Sequence, residues 1–256
     1  MDFGRLFPAF CLALVCWSCT PSSWFAPAFR PQPGAVYHYT VSELTHALTT
    51  ERGQRVNRDE HVRLAFHYRL ASPGTLTVGF DAFSFHEKGE KREKNVELTP
   101  DFPDARCVLG SDGRVNALTG LGVAQDQGYV AGLLEKGWGH FPTNHIKVGD
   151  SWTALDSLNA DPHISVPTTY TLIKVRDGVL YIKAEADVHL AGEGLKGASH
   201  PGLLTLVGRQ HGMLHVDAAT GLLLDGQTVL QAQGALKTGG GNIPLHIEST
   251  CSVSAA

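Results

Sequence analysis

Thirteen histidines in 256 residues invite a metal or proton-transfer reading, and their spacing decides how far it goes. His211, Met213 and His215 share one side of a strand. At about 3.3 Å per residue, however, imidazoles four positions apart stand roughly 13 Å from each other and cannot hold one ion. The same geometry separates His61 from His67. His140 and His145 flank a Phe-Pro-Thr-Asn turn that can bring them together, but no Cys or acid accompanies them in a ligand spacing, so they read as a loop pair. Ser199-His200 lacks the G-x-S-x-G elbow of a nucleophilic serine, and the Pro-Gly after it reads as a turn. Asp150 and Trp152 offer a contact at a cleft; the competing reading is an Asp that caps a turn and a Trp that packs in the core. Asp217-Ala218-Ala219-Thr220-Gly221 is turn chemistry, with Gly221 suited to a positive φ. Phosphate loops, EF-hands and dinucleotide fingerprints are missing from the chain. These residues predict no catalytic group, no metal site and no cofactor.

The cysteines carry more information. Arg5 and the amino terminus outweigh Asp2, and an apolar run from Leu6 to Trp17 leads into Ser18-Cys19. About 12 residues are too few for a helix to cross a hydrocarbon core of about 30 Å, so residues 1–18 read as a signal peptide. Val15-Cys16-Trp17-Ser18-Cys19 resembles the lipobox of bacterial lipoprotein precursors, which implies acylation of Cys19, export to the cell envelope and a membrane attachment through that lipid. Trp17 and Cys16 depart from the usual pattern, and the rival is cleavage after Ala26-Pro27-Ala28. Residues 19–33 are Pro-rich and read as a semi-extended tether. With Cys11 and Cys16 removed and Cys19 acylated, Cys107 and Cys251 remain, either as one disulfide in an oxidising compartment or as two buried thiols. The formal net charge of −4 disfavours nucleic acid as a partner.

What must position any site is a β-rich frame. With 28 Gly and 13 Pro, the chain suits short strands between turns better than a helical bundle. Period-2 alternation marks Val36–Val41, His61–Leu70 and Thr75–Phe85, the last two joined at Ser72-Pro73-Gly74. Arg106–Leu109 and Arg114–Leu118 flank Ser111-Asp112-Gly113, whereas the charged stretch Glu87–Lys94 reads as a solvated loop. A single helix is expected near residues 128–136, capped by Asp126 and stopped at Gly137. After it, Ser151–Asp156, Thr168–Val175, Val179–Leu190, Leu203–Asp217, Leu222–Gln231 and Ile243–Val253 read as strands. Corresponding turns recur at an offset of about 110 residues. The expectation is an all-β, mainly antiparallel domain over residues 34–256, a curved sheet or a sandwich or half-barrel, with similar halves (34–145 and 146–256) and one short helix between them.

Gly34 to Tyr37, Asp112 to Gly120, Phe141-Pro142 through Val148-Gly149-Asp150-Ser151-Trp152, and Asp217 to Leu222 resemble the spaced motifs of an uncharacterised family of bacterial envelope lipoproteins. The resemblance implies an exported β-rich lipoprotein and nothing about catalysis. In outline the chain is also similar to curved-sheet carriers that ferry lipids or lipoproteins across envelopes. The functional expectation is a non-catalytic binding or carrier module for a hydrophobic small molecule, with a structural or envelope-protein-binding lipoprotein as the alternative and a hydrolase as the second. If the sheet curves, Leu133, Leu134, Tyr170, Leu172, Leu180, Ile182, Leu204, Leu206 and Leu214 are expected to line its concave face; the competing outcome is a filled core.

Overall fold

The computed structural model of the protein describes residues 24–25, 29–51, 54–89, 93–98, 104–109, 114–120, 127–136, 140–142, 144–158, 161–193, 203–239 and 241–256. Cys19, Asp112-Gly113, Asp126, Gly137 and Ser199-His200 lie outside them.

Alternating apolar and polar residues produce twelve strands. They are β1 (Val36–Glu51), β2 (Gln54–Ser72), β3 (Thr75–Gly89), β4 (Glu93–Leu98), β5 (Ala105–Leu109), β6 (Val115–Thr119), β7 (Ser151–Leu158), β8 (Asp161–Arg176), β9 (Val179–Glu193), β10 (Leu203–Asp217), β11 (Leu223–Thr238) and β12 (Gly241–Ala255). One helix, α1 (Gln127–Glu135), separates β6 from β7. All strands join one antiparallel sheet in the order β6-β5-β3-β2-β1-β12-β11-β10-β9-β8-β7, with β4 paired to the far end of β3. The expected all-β antiparallel architecture holds in its curved-sheet form: the described strands make a single open sheet, and none of them builds a second layer.

Turn chemistry sets the hairpins. Asp177 (φ 51°) and Gly178 (φ 77°) both take the left-handed conformation that a tight two-residue hairpin turn demands. The β1–β12 pairing, from Tyr39 opposite Ala255 to Thr49 opposite Leu245, ties the strands before the helix to those after it. Of the strip Glu87–Lys94, expected to be a solvated loop, residues 87–89 instead end β3 and residues 93–94 begin β4. Glu87 stands opposite Lys94 and Lys88 opposite Glu93, so alternating charges neutralise across a strand pair.

Register slips and glycines both contribute to the curvature. Between β2 and β3 the register slips at Ala65/Phe66, an extra residue that bends the strand. Between β10 and β11, Gly208, Gly212, Gly226 and Gly234 let the strands draw together: a Cβ on Gly208 would strike the Gln231 carbonyl oxygen, and one on Gly212 would meet Thr228 Cα at 2.8 Å. The sheet curls until α1 packs against both β6 and β8, near its two open edges. Glu135 fastens the β6 side: its Oε1 accepts a hydrogen bond from Val115 N at 2.8 Å and faces Arg114 Nε at 4.0 Å.

Beneath the helix lies the main core, aromatic on the first strands (Tyr39, Phe66, Tyr68) and aliphatic on the later ones (Leu172, Leu180, Ile182, Leu223). Where it is described, the Pro-rich segment is docked onto the domain. Phe25 N donates to Ile146 O at 2.6 Å and Ile146 N returns the bond at 2.7 Å, while Phe29 sets its ring 5.7 Å from Tyr68. Two aromatic anchors explain why this stretch does not run free.

The candidate disulfide is corrected: Cys107 and Cys251 are separate, buried thiols. β5 and β12 are four strand spacings apart in the sheet, about 19 Å along it; Cys107 packs in the apolar core, and Cys251 sits at its border, opposite Glu43. Burial pushes Cys107 up to about 12 and Cys251 up to about 11, so neither offers a thiolate near neutral pH.

Candidate binding site beneath α1

The concave face is not apolar throughout. A belt of polar side chains crosses it on β1 (Glu43), β12 (Ser249), β11 (Thr228), β10 (Gln210), β8 (Thr168) and β7 (Asp156). It separates the main core from a smaller apolar cluster made by Val166, Ala186, Val188, Leu230 and Ala232. The pleat explains the placement: each belt residue sits on the inward parity of its strand, in a position an apolar residue would otherwise fill.

Where the belt passes under α1, a cavity of about 50 Å³ opens between Glu135 and Lys136 on the helix side and Asp156, Tyr170, Gln210 and Thr228 on the sheet. Gly226 lies in its wall, so the missing side chains of the β10–β11 glycines account for part of the space. A smaller recess next to it is bounded by Glu43, Ser249 and Lys136.

Two networks order these groups. Tyr170 donates its hydroxyl to Asp156 Oδ2 at 2.6 Å, and Trp152, stacked on Tyr170 with centroids 5.6 Å apart, donates its indole N–H to His140 O at 2.8 Å. Asp156 Oδ1 has no hydrogen-bond partner among the described residues; His140 Nε2 stands 3.6 Å away. Burial and the neighbouring Asp156 carboxylate both lift the Tyr170 phenol well above its ordinary range. In the second network Thr45 donates to Ser249 Oγ at 3.0 Å, and Ser249 donates to Glu43 Oε1 at 3.0 Å. Burial raises the Glu43 carboxyl, with Lys136 and the Ser249 hydrogen bond opposing the rise. Such an arrangement can hold a polar or charged head group while apolar walls stand on either side.

The expected lining residues divide. Tyr170 and Leu214 border the cavity, whereas Leu134, Leu172, Leu180 and Ile182 are consumed in the packed core. Leu206 is buried and Leu204 half-buried farther along β10. Leu133 lies on α1, with its side chain outside the described residues. The deep apolar pocket that these residues were expected to line is therefore a filled core with a small cavity of mixed polar and apolar lining beside it. His140 is buried and His145 exposed, and the two belong to no common cluster of metal-ligating groups among the described residues. Asp150 caps its turn by accepting from Lys147 N at 3.0 Å, and Asp217 accepts from Thr220 N and Oγ1 at 2.8 and 2.6 Å. Glu43, Asp156, Gln210 and Ser249 were not anticipated; their one sequence signal is a polar residue on the inward parity of an otherwise apolar strand.

In fold, the chain is similar to a solved structure titled "Lipid-protein interactions in lipovitellin", with a TM-score of 0.57 at 13% identity over 88% of this chain and 25% of that one. It thus spans a quarter of that protein's length. A conserved protein of unknown function with a hot dog fold from Alicyclobacillus acidocaldarius aligns at 11% identity over 88% of this chain and 80% of that one, with a TM-score of 0.13. No curated protein matches the sequence. Residues 123–223, which run from the approach to α1 through the start of β11, match the model of a family of unknown function, DUF6263.

Proposed function

We propose that the protein is an exported, non-catalytic binding module, attached to a membrane through a lipid on Cys19, that holds a hydrophobic ligand bearing a polar head on the concave face of its sheet. One observation carries the reading: a curved, open sheet presents apolar floor on both sides of a buried polar belt, and its roof over the cavity includes a single nine-residue helix. The lipid-related title of the lipovitellin structure supports the choice of ligand class. At about 50 Å³ the cavity has room for a few waters. Sites for drug-sized molecules run to about 300 Å³ or more, so binding requires α1 to move outward.

The test is twofold. Native mass spectrometry of protein purified from membranes is expected to show co-purifying lipid, and an apolar fluorescent probe is expected to bind the folded protein and to be expelled by Leu214→Trp, which fills the cavity. Absence of both lipid and probe binding rejects the carrier reading. Fatty-acid labelling is expected to mark the wild type and not Cys19→Ala; equal labelling removes the anchor.

A second reading rests on a different face. Leu203, Val207 and Met213 on the outward parity of β10 are exposed, Val207 at 53%. Apolar side chains so placed suit docking of an envelope protein. If cross-linking in cells captures a partner that Val207→Lys abolishes while probe binding stays absent, the partner-binding account replaces the carrier.

A further inference from the structure

On the outward face of the first strands the pleat places two imidazoles and a carboxylate together. Tyr39 and Val41 turn inward on β1, which sends His38 outward; Phe66 and Tyr68 do the same on β2, which sends His67 outward. His38 and His67 are direct cross-strand partners, with ring centroids 5.3 Å apart. The third group arrives through the irregularity between β2 and β3: Ala65 pairs with Ala82 and Phe66 with Phe80, leaving Asp81 as the extra residue. A bulge re-aims a side chain, and here Asp81 comes within 2.8 Å of His67 Nδ1 and 3.5 Å of His38 Nδ1. One possible ligand atom from each of the three lies within 4.8 Å of the others.

The neighbourhood is built to match. Opposite His67 on β3 stands Gly79, and a Cβ there would strike the imidazole, so only glycine leaves room for the ring in this position. Asp104 Oδ1 lies 3.2 Å from the place that Cβ would take, while its other oxygen faces Arg69 at 3.4 Å. The backbone at His38 is held on both sides, by β2 and by Ala256 N, which donates to His38 O at 3.0 Å. Other histidines pair with acids singly, His46 with Asp59 at 2.8 Å and His215 with Asp225 at 2.6 Å. Among the described residues this is the one cluster of three such groups.

We propose that His38, His67 and Asp81 form a divalent transition-metal site on the outer face of the sheet, of the two-histidine, one-carboxylate kind, with open positions toward solvent. Two imidazole nitrogens and a carboxylate oxygen suit Zn²⁺ and ions of similar preference over Ca²⁺ or Mg²⁺, which take oxygen. Ligands about 2.0–2.1 Å from a tetrahedral ion stand about 3.3 Å from one another, so the cluster needs small side-chain rotations and no strand movement. The site is independent of the cavity beneath α1.

Titration of metal-free full-length protein with ZnCl₂ by calorimetry is expected to show one saturable site, and CoCl₂ is expected to give the visible absorption of a four- or five-coordinate ion. His38→Ala and His67→Ala are each expected to weaken binding at least about tenfold, whereas His46→Ala and His215→Ala leave it unchanged. Zn²⁺ should raise the Tm of wild type and of His215→Ala but not of His67→Ala. If His67→Ala fails to fold by circular dichroism, His38→Ala, whose residue is more exposed, carries the decision. No saturable binding, or equal binding by wild type and the folded His38 and His67 variants, overturns the proposal.

Discussion

The strands before α1 and those after it shape one sheet with different residues, and each set leaves a different kind of site. In β1–β6 the inward face keeps its bulk: Tyr39 stacks on Phe66 and Tyr68 at 5.8 and 5.5 Å, and the bend comes from a bulge that ejects Asp81 outward. In β7–β12 the register also slips, at Leu172/Lys174 and His215/Val216, but the glycines of β10 and β11 remove side chains as well, and the cavity opens beside Gly226. A bulge therefore decorates the outside of a curved sheet, whereas a row of glycines hollows the inside.

The most severe test removes bulk from the first region. Phe66→Ala is expected to cost about 3–5 kcal/mol, read by urea unfolding, because the ring is fully buried and stacked on Tyr39. A loss well under that range would mean that aromatic stacking does not hold this half. Next comes a matched pair of glycines. Gly208→Ala drives a methyl into the backbone of β11 and is expected to cost about 1–3 kcal/mol. Gly79→Ala meets only movable side chains, the ring of His67 and the carboxylate of Asp104, and is expected to cost less than about 1 kcal/mol. Equal costs would erase the distinction between the two modes of bending.

Glu43 sits where the regions meet, on β1 opposite Cys251 of β12. Burial raises its folded pKa above the ordinary value of 4.5, so the fold favours the protonated acid. That stability is complete below about pH 4.5 and is lost as pH climbs through the folded pKa. Glu43→Gln is expected to gain on wild type with rising pH in that window, by at most about 1.4 kcal/mol per pH unit, in melts from pH 4 to 8. A constant offset between the two curves would place the Glu43 charge outside the belt's energetics. The smallest effect concerns the thiols, one in each region. Neither is expected to react with Ellman's reagent in the native state near pH 8, both are expected to react on unfolding, and dithiothreitol should leave the Tm unchanged. A Tm that falls with reductant would restore the disulfide.

Much of the frame was legible because its signals are local. Pro73-Gly74, Asp177-Gly178 and Asp217 to Gly221 mark hairpin turns by residue type alone, and Gly74, Gly178 and Gly221 all have positive φ (72°, 77° and 68°). The amphipathic run after Asp126 is a helix. Glu87–Lys94 was misread because charge alternation looks the same in a solvated loop and in a strand whose partner carries the opposite sign. The His38, His67 and Asp81 cluster was invisible for a stronger reason. Spacing along one strand is fixed by geometry, but here proximity depends on the β1–β2 register and on one inserted residue between β2 and β3. Glu43 and Ser249, 206 residues apart in the chain, meet only once β1 lies beside β12.

That same β1–β12 pairing sets a timetable. Each of β2–β3, β8–β9 and β10–β11 closes a short loop and can form as soon as both of its strands exist, whereas β1 must wait for a strand about 200 residues later in the chain. Until β12 is made, β1 is an edge strand with one row of unpaired backbone groups, in a chain whose early half is already rich in aromatic surface. During synthesis, then, the strand that ends at the centre of the sheet is the one most in need of a chaperone.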